Sequence, residues 1–305
     1  MSAVTLHSAP ALAPLLARGA LRSPFKRPGP DAEFPRTRLV LPGLRVDLAK
    51  LAAYERVCGF AAAADGCAGV DALPVTYPHV LGFPLAMRLM SGRDFPLPLL
   101  GLVHTSIEIV RRAEVPASGE YELAVHVDGL APHRRGTEAT VVTGLRADGE
   151  LVWESRSTYL SRHGAGGGAA PAAAGAVVRE VEATPLPVLA EWRLAEDVGR
   201  RYGAVSGDRN PIHLHPFTAR LFGFPRAIAH GMWTVARCLA AHGTPGAAVV
   251  RAGFRAPVLL PGAVAYGADG SGRFDLRGAG GKLHLAGEVR ALGGGVRGPG
   301  GGVRG

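Results

Sequence analysis

The order of elements on either side of one side-chain-poor stretch constrains the fold of this chain more than any single residue does. Residues 164–176, GAGGGAAPAAAGA, offer almost nothing to bury and read as part of a flexible linker over 164–182. Before it, Asp47 is placed to cap a helix over Leu48–Cys58, which Gly59 stops. The inward stripe of that helix is expected to be Leu48, Leu51, Tyr54 or Glu55, and Cys58. The run Leu73–Met90 follows, with Pro84 expected in a first helical turn and a helix after it apolar nearly all round. Strand patterns then occupy 102–110, 121–127, 141–145 and 151–159, the last two flanking the turn Ala147-Asp148-Gly149-Glu150.

After the linker the order repeats. Ala190–Leu194 reads as a strand and Glu196–Ser206 as a helix with acids in its first turn and Gly207 as its left-handed stop. An irregular segment and a short helical turn over Phe217–Phe222 lead to Gly231, from which Met232, Val235, Ala236 and Leu239 follow at i, i+3, i+4 and i+7. Strand candidates are 248–260, 263–268, 273–276 and 283–292. Strand, helix, irregular segment, buried helix and strands, twice over, predict two α+β units duplicated in fold. Their expected bounds are 36–163 and 183–293. Residues 1–35, rich in Pro and Ala without sustained periodicity, are expected to be loosely attached, and 294–305 to form a disordered Gly/Arg tail.

With 305 residues, 47% of them hydrophobic and 19% charged, the chain can build two modest cores. The net charge is +9, and only Lys26, Lys50 and Lys282 are lysines, so arginine carries the excess. Such a surface attracts anionic cofactors such as a nucleotide thioester. No Lys/Arg run with interleaved aromatics marks a nucleic-acid surface. Cys58, Cys67 and Cys238 have no metal-type spacing and read as small buried hydrophobes in a reducing compartment. No apolar run approaches the roughly 18 residues of a membrane span. The basic, acid-free first 30 residues leave a targeting peptide open, but without a clean apolar core and small-residue cleavage site a loosely attached segment is the plainer expectation. The expected location is cytoplasmic.

Chemistry concentrates in Tyr202–Met232, where Asp208 and His213 leave one turn-rich loop. Alone, Asp208 and Asn210 could be turn caps and His213 a structural histidine. His215 makes an HxH pair with His213, but no third ligand stands at a usual spacing, and no metal is expected. Tyr202, Phe217, Phe222 and Phe224 are most simply core. Together, a carboxylate and an imidazole can hold one water and move its proton near neutral pH. The first N–H groups of the helix opening at Gly231 lack intrahelical partners and can receive a developing oxyanion. That combination suits proton chemistry next to a thioester carbonyl.

The run Tyr202-x3-Ser206-Gly207-Asp208-x-Asn210-Pro211-Ile212-His213, with Gly223-Phe224 and Ile228-x-His230-Gly231-Met232, resembles the hydratase 2 motif of MaoC-type dehydratases. FRAPVLLPG (254–262) is similar to the strand after that family's hot-dog helix. The first half, through LPVTYPHVLGFPLAMRLM, GLVHTSIEI and LVWESRSTYL, resembles the N-terminal half of two-domain bacterial members but lacks a D-x-N-P-x-H run. The resemblance implies a double hot-dog, a degenerate unit paired with an active one as a pseudo-dimer within one chain, with a homodimer of chains left open. It implies Asp208 and His213 as the water-activating pair, Asn210 as an orienting residue and the Gly231 N–H as oxyanion donor. Ser206, Gly207, Tyr202, His230 and Phe224 fall on the substrate side. The reaction implied is reversible hydration of trans-2-enoyl thioesters of CoA or acyl carrier protein to (R)-3-hydroxyacyl thioesters, with no metal or redox cofactor. The alternatives are an acyl-CoA thioesterase and a non-catalytic acyl-thioester-binding subunit.

Overall fold

The computed structural model describes residues 1–60, 71–163 and 184–293. The expected linker and the Gly/Arg tail lie outside the described residues. In the first half, strand β2 (Thr37–Arg45) leads to helix α2 (Leu48–Cys58), then α3 (Tyr77–Met90) and strands β3 (Val103–Arg111), β4 (Glu120–His133), β5 (Gly136–Ala147) and β6 (Glu150–Arg162). In the second, β7 (Val188–Leu194) leads to α4 (Val198–Ser206), α5 (Pro211–Leu214), α6 (Pro216–Leu221) and α7 (Gly231–His242). Strands β8 (Ala248–Phe254), β9 (Gly262–Ala268), β10 (Arg273–Arg277) and β11 (Leu283–Ala291) complete it. Ahead of both stand β1 (Ser2–Thr5) and α1 (Leu12–Arg22).

All eleven strands form one sheet in the order β1-β2-β4-β5-β6-β3-β8-β11-β10-β9-β7. Counted outward from the centre, each half contributes its second, fifth, fourth, third and first strands. The halves therefore share one topology and meet at the antiparallel pair β3–β8, from Ser106 opposite Gly253 to Arg111 opposite Ala248. Arg251 on that seam reaches Glu108 at 2.5 Å and Glu288 at 3.2 Å. Helices α3 and α7 lie against the sheet, and one hydrophobic cluster runs through both halves. This is the double hot-dog expected from the sequence. Among the described residues no helix is long and apolar enough to cross a membrane.

Local signals explain several boundaries. Asp47 accepts hydrogen bonds from the N–H groups of Ala49 and Lys50, and Gly59 ends α2 with φ of 78°. Asp148 and Gly149 both have positive φ, the conformation of a tight two-residue hairpin. Gly207 closes α4 with φ of 78°.

Other expectations are corrected. The N-terminal segment is not loosely attached: Leu15 is buried, Arg18 donates to Ser91 Oγ at 2.7 Å, and Lys26 Nζ donates to the Gly92 carbonyl at 2.7 Å. Leu12, Leu15, Leu16, Gly19 and Ala20 do keep a helical spacing, but over only 11 residues. Pro84 lies inside α3, and Pro78 takes the N-terminal place, because the helix begins at Tyr77. Leu48 points out and is 60% exposed, since the inward face of α2 is carried by Leu51, Tyr54 and Cys58. Glu196 and Asp197 precede the first turn of α4 rather than occupying it. Strand β8 ends at Phe254. Beyond it, Val258 and Leu260 turn to bond the backbone of Ala229 and Ala227, forming a wall behind the loop before α7.

Candidate active site

The loop after α4 is held by short-range hydrogen bonds that its residue types supply. Ser206 Oγ donates to the Tyr202 carbonyl at 2.8 Å and accepts the Asp208 N–H at 3.2 Å. Asp208 Oδ1 accepts the Asn210 N–H at 3.2 Å, and Asn210 Oδ1 caps α5 by accepting the Ile212 N–H at 3.4 Å. Ser206, Gly207 and Asn210 therefore shape the bend that presents Asp208. Two glycines of α4 let that bend come close. A Cβ on Gly199 would stand 2.0 Å from the His213 carbonyl oxygen, and one on Gly203 would stand 2.9 Å from that of Asp208.

His213 is buried on the single turn of α5. Its Nδ1–H donates to the Ile228 carbonyl at 2.8 Å, which leaves Nε2 with the lone pair. Burial lowers its pKa, opposed by the Asp208 carboxylate, so the imidazole is neutral at neutral pH. His230 stacks on it with ring centroids 3.7 Å apart and donates through Nε2 to the Asp208 carbonyl at 2.8 Å. At 2% exposure, His230 packs against the pair and braces it at the edge of the cavity that all three line. Its own pKa is pushed down to about 3 by burial and by His213.

One ligand atom each from Asp208, His213 and His230 lies within 4.8 Å of the others. That spacing lets a single water bridge Asp208 and His213, and it could also hold a metal ion. The HxH partner His215 is not part of the group; it is exposed and caps α6 by accepting the Phe217 N–H at 3.2 Å. Gly231 begins α7, and no side chain caps that helix end. Its first N–H groups therefore lack an intrahelical partner, and Gly231 and Met232 line the cavity. The Phe254 ring covers Gly231 so closely that a Cβ there would stand 2.8 Å from it.

These residues line a cavity of about 1130 Å³ that both halves build. Tyr202, Ser206, Asp208, Asn210, His213, Phe224, His230 and Gly231 all reach it from the second half. From the first half come a stripe of α3 (His79, Phe83, Met87 and Met90), Leu16 of α1, and His104 and Tyr159 of the sheet. Arg134, Arg135, Arg162 and Arg209 stand exposed around it. Sequence reasoning singled out neither His79 nor His104 nor Tyr159. The only signals were a histidine in an otherwise apolar helix and another leading a strand.

A family model described as MaoC like domain matches residues 174–273. The chain is 34% identical over 266 residues to 3-hydroxyacyl-thioester dehydratase X of Mycobacterium tuberculosis, an alignment covering 85% of this chain and 90% of that protein. The chain belongs to the MaoC-like dehydratase family. A crystal structure of HtdX from the same organism superposes with a TM-score of 0.70 at 33% identity, covering 84% of this chain and 100% of that one. A conserved hypothetical protein of M. tuberculosis described as a double hotdog fold matches with a TM-score of 0.51 at 15% identity, covering 86% and 96%. That likeness bears on fold alone. The family match extends across the loop that carries Asp208 and His213 and the start of α7.

Proposed function

We propose that the chain is a hydro-lyase that interconverts 2-enoyl and 3-hydroxyacyl thioesters in fatty acid metabolism. The observation that carries this reading is the juxtaposition of Asp208 and His213, close enough to share a water, with the uncapped N-terminus of α7 on one cavity. Family membership and the names of its relatives support the same reaction class.

In the hydration direction the thioester carbonyl lies at the N–H of Gly231, where the helix dipole and an unpaired amide favour a developing negative oxygen. His213, neutral and with Nε2 free, removes one proton from the water, while the Asp208 carboxylate accepts a hydrogen bond from the O–H that stays intact. The oxygen bonds to C3 as the C2=C3 electrons move toward the carbonyl. The imidazolium, stabilised by the carboxylate, then returns a proton to C2. Asn210 and Ser206 fix the bend, and His230 braces both groups. The mechanism calls for no metal and no redox cofactor, and CoA or acyl carrier protein enters only as part of the substrate. The arginines around the cavity suit either anionic carrier. Delivery of water to C3 from a fixed face implies a single 3-hydroxy enantiomer, and the family resemblance points to (R).

The test is to incubate the protein with crotonyl-CoA and follow enoyl absorbance and free thiol separately. Loss of absorbance without thiol release is expected; thiol release would mark a thioesterase. Asp208→Asn and His213→Ala should each lower turnover by at least about 10²-fold, with thioester binding retained. A pair of fully active variants would refute the assignment, and a wild-type protein that binds without turnover would mark a non-catalytic subunit.

A further inference from the structure

The half that lacks the D-x-N-P-x-H run still places two imidazoles on the shared cavity. His79 is in the first turn of α3, on the same stripe as Phe83, Met87 and Met90, and is 9% exposed. His104 of β3 stacks beside it, with centroids 5.9 Å apart and planes 13° apart. The column continues to Tyr159 at 4.5 Å and to Phe254 at 4.9 Å, the ring that covers Gly231. It therefore leads from α3 to the helix end where the thioester carbonyl is placed.

Among the described residues, His79 Nδ1 and His104 Nε2 are buried and meet no hydrogen-bond partner. Unpartnered buried nitrogens cost stability, and a leucine or phenylalanine would complete the stripe without that cost. A buried histidine is normally satisfied on both nitrogens; His79 and His104, like His230 beside the Asp208 loop, each leave one open on this cavity. After burial, the charge of Asp208 is the next influence on His79, so the ring stands within electrostatic reach of the proposed water-holding carboxylate. Burial holds His79 neutral down to about pH 4. A neutral imidazole carries one donor and one acceptor nitrogen, and either can pair with a hydroxyl group, which both donates and accepts.

We propose that His79, supported from behind by His104, is a third hydrogen-bonding partner for the hydroxyl group that joins or leaves C3, contributed by the half that has lost the Asp–His motif. The proposal rests on the reaction assigned above and names the surface that recognises the hydroxyl of the 3-hydroxyacyl thioester. His104 acts through His79 and is a positioning residue.

The experiment compares binding of 3-hydroxybutyryl-CoA and butyryl-CoA, which differ by that hydroxyl, to full-length protein in an Asp208→Asn background, whose slowed turnover leaves time to read binding. His79→Leu should weaken 3-hydroxybutyryl-CoA about tenfold and leave butyryl-CoA unchanged. His79→Asn, which keeps a donor and an acceptor, should restore most of the difference. His104→Ala removes the ring that stacks on His79 and should cost about threefold on the hydroxylated ligand only, whereas His104→Phe keeps the stacking and should cost nothing; His104→Ala serves as the independent variant if His79→Leu fails to fold. Equal losses for both ligands, or no loss for either, would overturn the proposal. Wild-type activity on crotonyl-CoA is read in parallel, so failure of the reaction assignment shows separately from failure of this contact.

Discussion

Replacing Gly199 by alanine tests whether the fold of α4 sets the position of the proposed base. Gly199 has an ordinary negative φ, so the backbone tolerates a side chain, and on helix propensity alone alanine would be favoured by up to about 1 kcal/mol. The obstacle is contact. The added Cβ would lie 2.0 Å from the His213 carbonyl oxygen, so the two backbones must part by roughly 1.4 Å to reach an ordinary 3.4 Å contact. Overpacking of this kind costs about 1–3 kcal/mol, which outweighs the helical gain. Displacement of a reacting group by about 1 Å lowers turnover about 10²-fold. Gly203→Ala, whose Cβ would stand 2.9 Å from the Asp208 carbonyl, requires a smaller shift and should cost about tenfold. The assay is steady-state hydration of crotonyl-CoA beside thermal melts of both variants. Wild-type turnover and melting temperature in Gly199→Ala, or a larger loss in Gly203→Ala, would refute the reasoning.

Stability should fall with acidification. His79 and His230 titrate near 6.5 when unfolded but are pushed to about 4 and about 3 by burial in the fold. The unfolded chain thus binds more protons below pH 6.5, and the penalty, absent above that value, grows as pH drops toward 4 and 3. A melting temperature that does not decline between pH 7.5 and 5 would contradict the burial of these rings. Truncation of residues 1–26 should lower both melting temperature and turnover, because Leu12 packs on Gly207 beside Asp208 and Arg18 anchors α1 to Ser91. A truncated protein with full activity would show that α1 is dispensable to the site. Residues 183–293 expressed alone should self-associate or precipitate, since they expose the β8 edge that pairs with β3 and the cavity wall facing α3. A soluble, fully active monomer of that fragment, measured by light scattering and the same assay, would argue that the first half contributes nothing to the site.

Much of the proposed site was legible along the chain because its geometry is local. Asp208 and His213 come together through an Asx turn, a serine that locks the end of α4 and a left-handed glycine, all within a dozen residues. The start of α7 at Gly231 likewise followed from apolar spacing. Less legible was α1, whose stripe is short and set among the alanines and prolines of the N-terminal segment. Nor did the run 248–260 show where β8 stops, because its second part continues to alternate while bonding a loop instead of a strand.

The sequence by itself determined the duplicated α+β order, the caps and turns that punctuate it, and one bend carrying a carboxylate and an imidazole. These rest on interactions between residues a few positions apart, which leave periodicity and residue type as their trace. Only the tertiary structure decided that β3 pairs with β8, that α1 covers the bend carrying Asp208, and that His79, His104 and Tyr159 face the cavity that Asp208 lines. Residues more than a hundred positions apart meet there because burying two apolar helix faces and joining two sheet edges brings the halves together. No local pattern in either half encodes which polar side chains that union will oppose.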